Sequence, residues 1–182
     1  MRYRVMLLAA FFGLCHVAVR ASAQNPAGPA LRFVISEVQA GTMASEQYCL
    51  LVFSDRHYHY EKANRKTGVD RIRKVYEGPL SDADWTALDG ILESKDFRDL
   101  KGPEDVPPLV IQDAHTYTIS VARGATFQNM EFIDKRSRKP YETQLKPLFG
   151  WWKSFRGGRM AESKNPPDSR CALDSTRPIF SQ

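Results

Sequence analysis

Hydrophobic and polar residues alternate along several short stretches of the chain, and this two-residue period is typical of β-strands. In the first stretch, 31–38, the alternation places Phe33, Ile35 and Glu37 on one face, which predicts a strand. Polar runs with glycine and proline separate the stretches and predict turns and loops. The strands predicted in this way are 31–38, 48–53, 57–61, 71–78, 114–122 and 126–134.

The stretches 48–53 and 57–61 predict a β-hairpin, against which we expect the rest of the chain to pack. The first arm is apolar on both faces, which is typical of a strand near the middle of a sheet. The second arm alternates strictly, so His57, His59 and Glu61 share the face opposite to its two tyrosines. The turn between the arms has no glycine, and the sequence leaves the register of the pairing open. Loops are predicted at 41–47, 62–70 and 101–112.

Two stretches have the helical period instead. The first begins at Ser81, a good N-cap with Asp84 three residues on as its capping-box partner, and we expect it to end near Lys95. The second is predicted from apolar residues at spacings of three, four and seven within 145–155. Pro147 is expected near its first turn, because proline inside a helix disrupts the backbone hydrogen bonds.

The order of elements is strand, hairpin, strand, helix, hairpin, helix. This order predicts a two-layer α+β fold, in which an antiparallel sheet carries helices on one face. The other face of the sheet is then available to water or to a partner. We assign 31–156 to a single α+β domain, 24–30 to a flexible leader, and 157–182 to an irregular C-terminal tail.

Residues 1–23 have the features of a secretory signal peptide. Two arginines precede an apolar run, 5–19, and residues 21–23 read Ala-Ser-Ala, the small-x-small pattern of a cleavage site. The run is shorter than the roughly 20 residues that span a membrane, so we expect a secreted or periplasmic protein with no membrane span after cleavage. The alternatives are an uncleaved anchor and a lipoprotein signal that ends at Cys15, which Leu14 disfavours because a small residue is needed there.

Removal of a signal peptide changes the charge of the chain. The full sequence has a net charge of +5, and three arginines but no acid lie within the first 23 residues, which leaves +2. This excess is too small to favour nucleic-acid binding, and we expect none. The basic run 135–139, with Arg156 and Arg159 after it, is interpreted as a solvated connector, or alternatively as a surface for an acidic partner or a lipid head group.

His57, His59 and Glu61 form the sharpest candidate for a metal site. Two histidines at i and i+2 on one strand face can share a zinc ion, and a carboxylate can complete or orient the set. His115 becomes a further ligand if its strand lies alongside. The alternative, which we favour, is a solvated polar face of the hairpin, and no cofactor is predicted.

Cys49 and Cys171 are the only cysteines that follow the predicted signal peptide. In an oxidising compartment they can form a disulfide that ties the tail to the hairpin. Otherwise, Cys49 is a buried free thiol and Cys171 lies in a disordered tail. The sequence leaves both alternatives open.

Six pieces of the sequence carry a resemblance to a known family: 50–55 (Leu-Leu-Val-Phe-Ser-Asp), 60–61 (Tyr-Glu), 76–78 (Tyr-Glu-Gly), 80–81 (Leu-Ser), 97–100 (Phe-Arg-Asp-Leu) and 116–119 (Thr-Tyr-Thr-Ile). In this order, residues 48–134 resemble an uncharacterised family of bacterial secreted and envelope domains. The chain departs from that family before the hairpin, where 42–45 replaces a cysteine-rich stretch, and at the hairpin tip, which lacks the usual glycine. The resemblance implies no activity and no site residues.

Recognisable catalytic patterns are missing from the sequence, which has no Gly-x-Ser-x-Gly and no glycine-rich phosphate loop after a strand. We therefore expect a non-enzymatic binding module that meets an unknown protein or envelope partner through the open sheet face or the hairpin tips. Trp151 and Trp152 point about 100° apart on a helix, so we expect one in the core and the other partly exposed as a contact surface. The alternatives are a metal-binding protein or metal-dependent enzyme that uses His57, His59 and Glu61, and a purely structural component of the envelope.

Overall fold

The computed structural model of the protein describes residues 29–40, 44–66, 72–103, 115–164 and 170–171. These residues form a mixed α+β fold with an open six-stranded antiparallel sheet. The predicted signal peptide lies outside the described residues, as do most of the predicted leader and parts of the predicted tail. The elements are β1 (Leu31–Ala40), β2 (Ala44–Phe53), β3 (His57–Lys66), β4 (Ile72–Pro79), α1 (Asp82–Glu93), α2 (Lys95–Arg98), β5 (His115–Arg123), β6 (Thr126–Phe132), α3 (Lys135–Arg138), a 3-10 turn (Lys139–Tyr141) and α4 (Glu142–Gly157).

The strands lie in the order β4-β3-β2-β1-β5-β6, and each is antiparallel to its neighbours. β2 and β1 therefore occupy the centre, as the apolar composition of 48–53 predicts. β5 pairs with the free edge of β1, with Phe33 opposite Val121. Within the described part of the chain, no helix is both long enough and apolar enough to cross a membrane.

The two arms of the hairpin are longer than predicted. Residues 44–47 and 62–66 belong to strands, so the loops predicted there are wrong, and the pairing runs on to Ala44 opposite Lys66. Polar residues dominate these ends, and alternation of apolar residues does not reveal them. They are strands because each satisfies the backbone hydrogen bonds of the other.

The hairpin turns at a residue in the left-handed conformation. Arg56 has φ 67°, a region that glycine usually occupies. Its N–H donates to the carbonyl of Phe53 (3.0 Å), and the Asp55 carboxylate accepts from the N–H of His57 (3.0 Å). This aspartate stabilises the turn, which explains how a sharp turn forms here without glycine.

One of the two clusters of buried residues joins the sheet to the helices. Phe33 and Leu50 of the central strands and Tyr60 of β3 are buried together with Leu88 of α1 and Trp152 of α4. Aromatic pairs cross this boundary, as where the Tyr60 and Trp152 rings meet edge to face at 5.9 Å. Burial of each such side chain contributes about 1.5–3 kcal/mol, so this cluster is the main source of stability.

The second cluster contains side chains of the opposite strand parity. Val34, Cys49 and Leu51 are buried in it together with Cys171, which forms a disulfide with Cys49. The two Cα atoms lie 6.1 Å apart and are separated by 122 residues in the chain. The expectation that this sheet face is open is wrong at its centre, because Val34 and Cys49 have no exposed surface.

The helix predicted at Ser81 is α1, and Ser81 caps its N-terminus as expected, but the Asp84 carboxylate binds the Ser81 hydroxyl and not the backbone N–H that a capping box uses. The Ser81 hydroxyl oxygen accepts from the N–H of Asp84 (3.0 Å), and the Asp84 carboxylate accepts from that hydroxyl (2.6 Å). The helix ends at Glu93, where Ser94 stops it and caps the short α2. Phe97 and Leu100 then return to the core.

α4 contains Pro147 in its interior, whereas the sequence analysis placed it near the first turn. Proline in a helix interior costs about 3 kcal/mol, since it removes a backbone N–H. Burial of four or five large side chains on the same helix outweighs this cost. The buried residues of α4 are Leu145, Leu148, Trp151, Trp152 and Phe155.

One further expectation for this region is wrong. Trp151 and Trp152 are both buried, because the indole of Trp151 leans towards α1 and donates to the carbonyl of Asp84 (3.2 Å).

The basic run 135–139 forms the short helix α3 and the start of the 3-10 turn, because the Asp134 carboxylate caps the helix by accepting from the N–H of Ser137 (2.7 Å). Lys135, Arg136 and Lys139 are exposed, as expected for a solvated connector.

Candidate functional site

A cleft of about 540 Å³ opens between the C-terminal end of α4 and the strands β2, β3 and β4. Three tyrosines and four cationic side chains line it, and no carboxylate is among the described residues of the lining. The lining residues are Gln39, Tyr48, Tyr60, Lys62, Tyr76, Lys153, Arg156, Gly157, Gly158, Arg159 and Met160.

Strand alternation and register bring the sheet residues of the cleft together. Tyr60 lies directly opposite Tyr76 on β4, and Lys62 lies opposite Tyr48 on β2. The rings of Tyr60 and Tyr76 stack with centroids 5.5 Å apart. α4 contributes the side chains of Lys153 and Arg156 to the cleft and ends at Gly157, and the next residue is also glycine.

Arg156 is the cation that is fixed most firmly in the cleft. Its guanidinium lies over two aromatic rings, 4.5 Å from the centroid of Tyr48 and 5.0 Å from that of Trp152. Behind it, one guanidinium nitrogen is 2.8 Å from a carboxylate oxygen of Glu37. Stacking and an ion pair together hold the planar group in one orientation.

Glu37 is a fully buried carboxylate that collects donors from four side chains, and we call this set the Glu37 network. Besides Arg156, these donors are the side chains of His115 (2.5 Å), Gln39 (2.7 Å) and Trp152 (2.6 Å). Burial on its own raises the pKa of Glu37. These hydrogen bonds and the charge of Arg156 have a larger, opposite effect, and together they lower the pKa to about 2. The carboxylate is therefore ionised at neutral pH.

The phenols of the cleft are held in their protonated form. Burial is the main cause that raises the pKa of Tyr60, and burial with the neighbouring Glu46 carboxylate raises the pKa of Tyr48 to about 12. At neutral pH these groups therefore donate hydrogen bonds and do not act as bases. Tyr48 already donates to Glu46.

The remaining cations of the cleft have no carboxylate partner among the described residues. The Lys62 ammonium lies 5.3 Å from the centroid of the Tyr48 ring, and Lys153 and Arg159 project from an exposed surface. By contrast, Lys74 on the neighbouring strand pairs with Glu162 at 2.7 Å. The surface of the cleft therefore presents positive charge that the described part of the protein does not neutralise.

The residues predicted as metal ligands lie elsewhere and are only partly brought together. His59 and Glu61 are buried and in contact, with His59 Nε2 2.7 Å from a Glu61 carboxylate oxygen. His57 is exposed, and its ring faces Asp55 instead (3.3 Å). The third group near His59 and Glu61 is the sulfur of Cys171. One polar atom from each of the three residues lies within 4.8 Å of the other two.

Most contacts of His59 are those of a buried ion-pair network. Its second ring nitrogen, Nδ1, is 2.7 Å from a carboxylate oxygen of Glu77, so both bonds form only when both nitrogens carry a proton. Glu61 also accepts from the backbone N–H of Arg170 (2.8 Å) and lies 3.6 Å from the Arg73 guanidinium. The favoured prediction of a solvated polar face is therefore wrong at His59 and Glu61.

His115 does not join this network. It lies on β5, and β1 and β2 separate that strand from β3. Its ring bonds to Glu37, which also bonds to Trp152 of α4. His59 lies opposite Leu51, a member of the second cluster, so His115 and His59 are on opposite sides of the sheet. The expectation that His115 adds a ligand to His59 fails for this reason.

The Glu37 network and the cleft beside it were not predicted from the sequence. A signal was present, because Glu37 follows Phe33 and Ile35 on the same face of a predicted strand. An acid on an otherwise apolar strand face is either exposed to water or buried with hydrogen-bonding or cationic partners. The partners could not be found in this way, since Trp152 and Arg156 are more than a hundred residues away in the chain.

The chain matches no protein-family model, and no curated protein matches it. The resemblance of residues 48–134 to secreted and envelope domains stays a prediction.

Proposed function

We propose that the protein is an exported, non-enzymatic binding module that holds a hydroxylated organic anion in the cleft at the end of α4. The observation that carries this proposal is the convergence of four cationic side chains on one tyrosine-lined cleft. An anion placed there meets the fixed guanidinium of Arg156 and the charges of Lys62 and Arg159, which have no carboxylate partner in the part of the chain that the structure describes. The phenol groups and the Gln39 amide add hydrogen-bonding groups for hydroxyls on the same ligand.

The Glu37 network supports this proposal because it prepares the site before any ligand arrives. Arg156 is already oriented by Glu37 and by the rings of Tyr48 and Trp152, so little side-chain entropy is lost when an anion binds. An enzyme needs a nucleophile or a base of suitable pKa, whereas the phenols of Tyr48 and Tyr60 are held protonated. These features favour binding over catalysis.

Export and the layered architecture are part of the same proposal. The Cys49–Cys171 disulfide supports export, because disulfides persist in oxidising compartments. We further propose that the helices form one layer on a single face of the sheet. Support for this comes from strand parity, because Phe33 and Leu50 share the helix-containing cluster whereas Val34 and Cys49 do not.

Calorimetric titration tests the proposed cleft. D-Galacturonate, a hydroxylated carboxylate, is titrated into the full chain, and D-galactose serves as the neutral counterpart. We expect binding of the acid but not of the sugar. Lys62→Gln and Arg159→Gln each weaken it about two- to fivefold, as expected for a partly exposed ion pair. Lys101→Gln is the matched control on an exposed lysine away from the cleft. Equal heats for acid and sugar, or equal loss in the control, would falsify the proposal.

A metal-binding function is the second candidate. The observation that favours it is the contact between His59 Nε2 and a Glu61 carboxylate oxygen (2.7 Å); the Cys171 sulfur is nearby, but its bond to Cys49 removes it as a thiolate ligand. His59 is also held by Glu77 through its other nitrogen, which is the orienting contact that metal-bound histidines make. Elemental analysis of the purified chain tests this candidate. A stoichiometric metal that is lost on His59→Ala but kept on His57→Ala supports it.

A further inference from the structure

Positive charge is concentrated in one segment of the chain. Residues 135–159 contain eight lysines and arginines and a single acid, Glu142, for a net charge of +7. The full sequence has a net charge of +5, so all other residues together are net negative. The basic segment therefore creates a local field that the overall charge conceals.

A second groove, of about 510 Å³, runs beside α4 within this segment. Four cations and one acid line it, together with two apolar side chains and a glycine: Lys135, Arg138, Lys146, Lys153, Glu142, Leu145, Phe149 and Gly150. Lys153 lines the cleft as well, so the two depressions meet at that residue. The Arg138 guanidinium is held in place 4.8 Å from the ring centroid of Tyr117.

Helix geometry aligns the two depressions along one side of α4. Lys146 and Lys153 are seven residues apart, so they lie on the same side of α4, about 10 Å from each other. Gly150 lies between them on that side, and the cleft follows at Gly157. Glycine leaves no side chain to interrupt a ligand that lies along the helix.

We infer that the cleft and the groove form one binding path for a linear acidic polysaccharide of the polyuronate class, which carries one carboxylate on each sugar. This inference rests on the proposed function and extends it from a single anionic sugar to a chain. One uronate occupies the cleft beside Arg156, and the following sugars lie along α4, where Lys153 and then Lys146 meet their carboxylates.

The aromatic rings of the cleft favour this polymer over a nucleic acid. Proteins that hold single strands offer open aromatic faces for base stacking. Tyr48 is 8% exposed and Tyr60 is 3% exposed, so their rings present edges and hydroxyls but no free face.

A chain-length series tests the inference. The affinities of D-galacturonate, trigalacturonate and hexagalacturonate for the full chain are measured by calorimetry at one fixed salt concentration. We expect the affinity to rise with chain length, because only the longer chains extend from the cleft to Lys146 and Lys135. The double variant Lys135→Gln/Lys146→Gln lowers the affinity for hexagalacturonate about tenfold and leaves that for D-galacturonate unchanged. Lys101→Gln is again the control, and thermal unfolding verifies that the variants are folded.

The outcomes separate this inference from the proposed function. If D-galacturonate binds but hexagalacturonate binds no tighter, the continuous path is wrong and the cleft alone stands. If D-galacturonate does not bind at all, the proposed function itself fails. A single-stranded oligonucleotide or vesicles of anionic phospholipid that bind tighter than hexagalacturonate, and that lose affinity in the same double variant, assign the groove to phosphate ligands and overturn the polysaccharide.

Discussion

Replacement of Glu37 by glutamine is expected to destabilise the protein in a pH-dependent way. The variant keeps the size of the side chain and removes its charge, which leaves Arg156 without its counter-charge. The fall in the pKa of Glu37 from 4.5 to about 2 corresponds to about 3 kcal/mol in favour of the ionised form in the folded state. We therefore expect Glu37→Gln to lower the free energy of unfolding by about 3 kcal/mol at pH 7.

The sign of the pH dependence follows from the lowered pKa. An acid whose pKa is lower in the folded state stabilises the protein at pH values above the unfolded pKa of 4.5. That contribution disappears as the pH falls towards 2, since the carboxylate then becomes protonated in both states. The difference between wild type and Glu37→Gln is therefore full at pH 7 and shrinks between about pH 4.5 and 2.

Urea unfolding, followed by tryptophan fluorescence, measures this difference at pH 7, 5, 4 and 3. Glu131→Gln is the matched control, because Glu131 is an exposed glutamate on β6. We expect the control to change the free energy of unfolding by less than about 0.5 kcal/mol at every pH. A loss below about 1 kcal/mol at pH 7, or a loss that stays constant down to pH 3, refutes the reasoning.

Three further changes test the rest of the structure. Cys49→Ala/Cys171→Ala is expected to lower the free energy of unfolding by about 4–5 kcal/mol in the chain-entropy model, because the disulfide closes a loop of 122 residues. Urea unfolding with and without a reductant checks this. His59→Ala leaves two carboxylates without their shared partner and is expected to cost about 3–5 kcal/mol, whereas His57→Ala, at an exposed site, costs under about 0.5 kcal/mol in thermal unfolding. Pro147→Ala is expected to raise stability by about 1–3 kcal/mol, since alanine restores the missing backbone N–H, and an unchanged or lower melting temperature contradicts this.

Local signals in the sequence were sufficient for the elements that are determined by neighbouring residues. Ser81 begins α1 because its hydroxyl caps a nearby N–H, and this contact spans only three residues. The apolar run 48–53 predicts a central strand because both of its faces need cover. The Phe33, Ile35 and Glu37 alternation likewise fixes one face of β1 without reference to distant residues.

Contacts over long distances in the chain decided the features that the sequence analysis missed. His59 and Glu61 are buried because Cys171, more than a hundred residues later, is bonded to the neighbouring strand. Arg156 belongs to a site because β1 places Glu37 beneath it. Periodicity reports which face of an element is apolar, but it does not report which distant segment covers that face.

Backbone amide NMR shifts during titration with D-galacturonate test the central claim most directly, because they locate the ligand residue by residue. We predict that the largest changes fall on residues around the cleft, led by Lys62, Tyr76, Gly157, Gly158 and Arg159. Little change is expected at the hairpin turn 54–56 or at Phe127 on the distant edge strand. Shifts that concentrate at those two places, or that are spread evenly over the molecule, contradict a binding site at the end of α4.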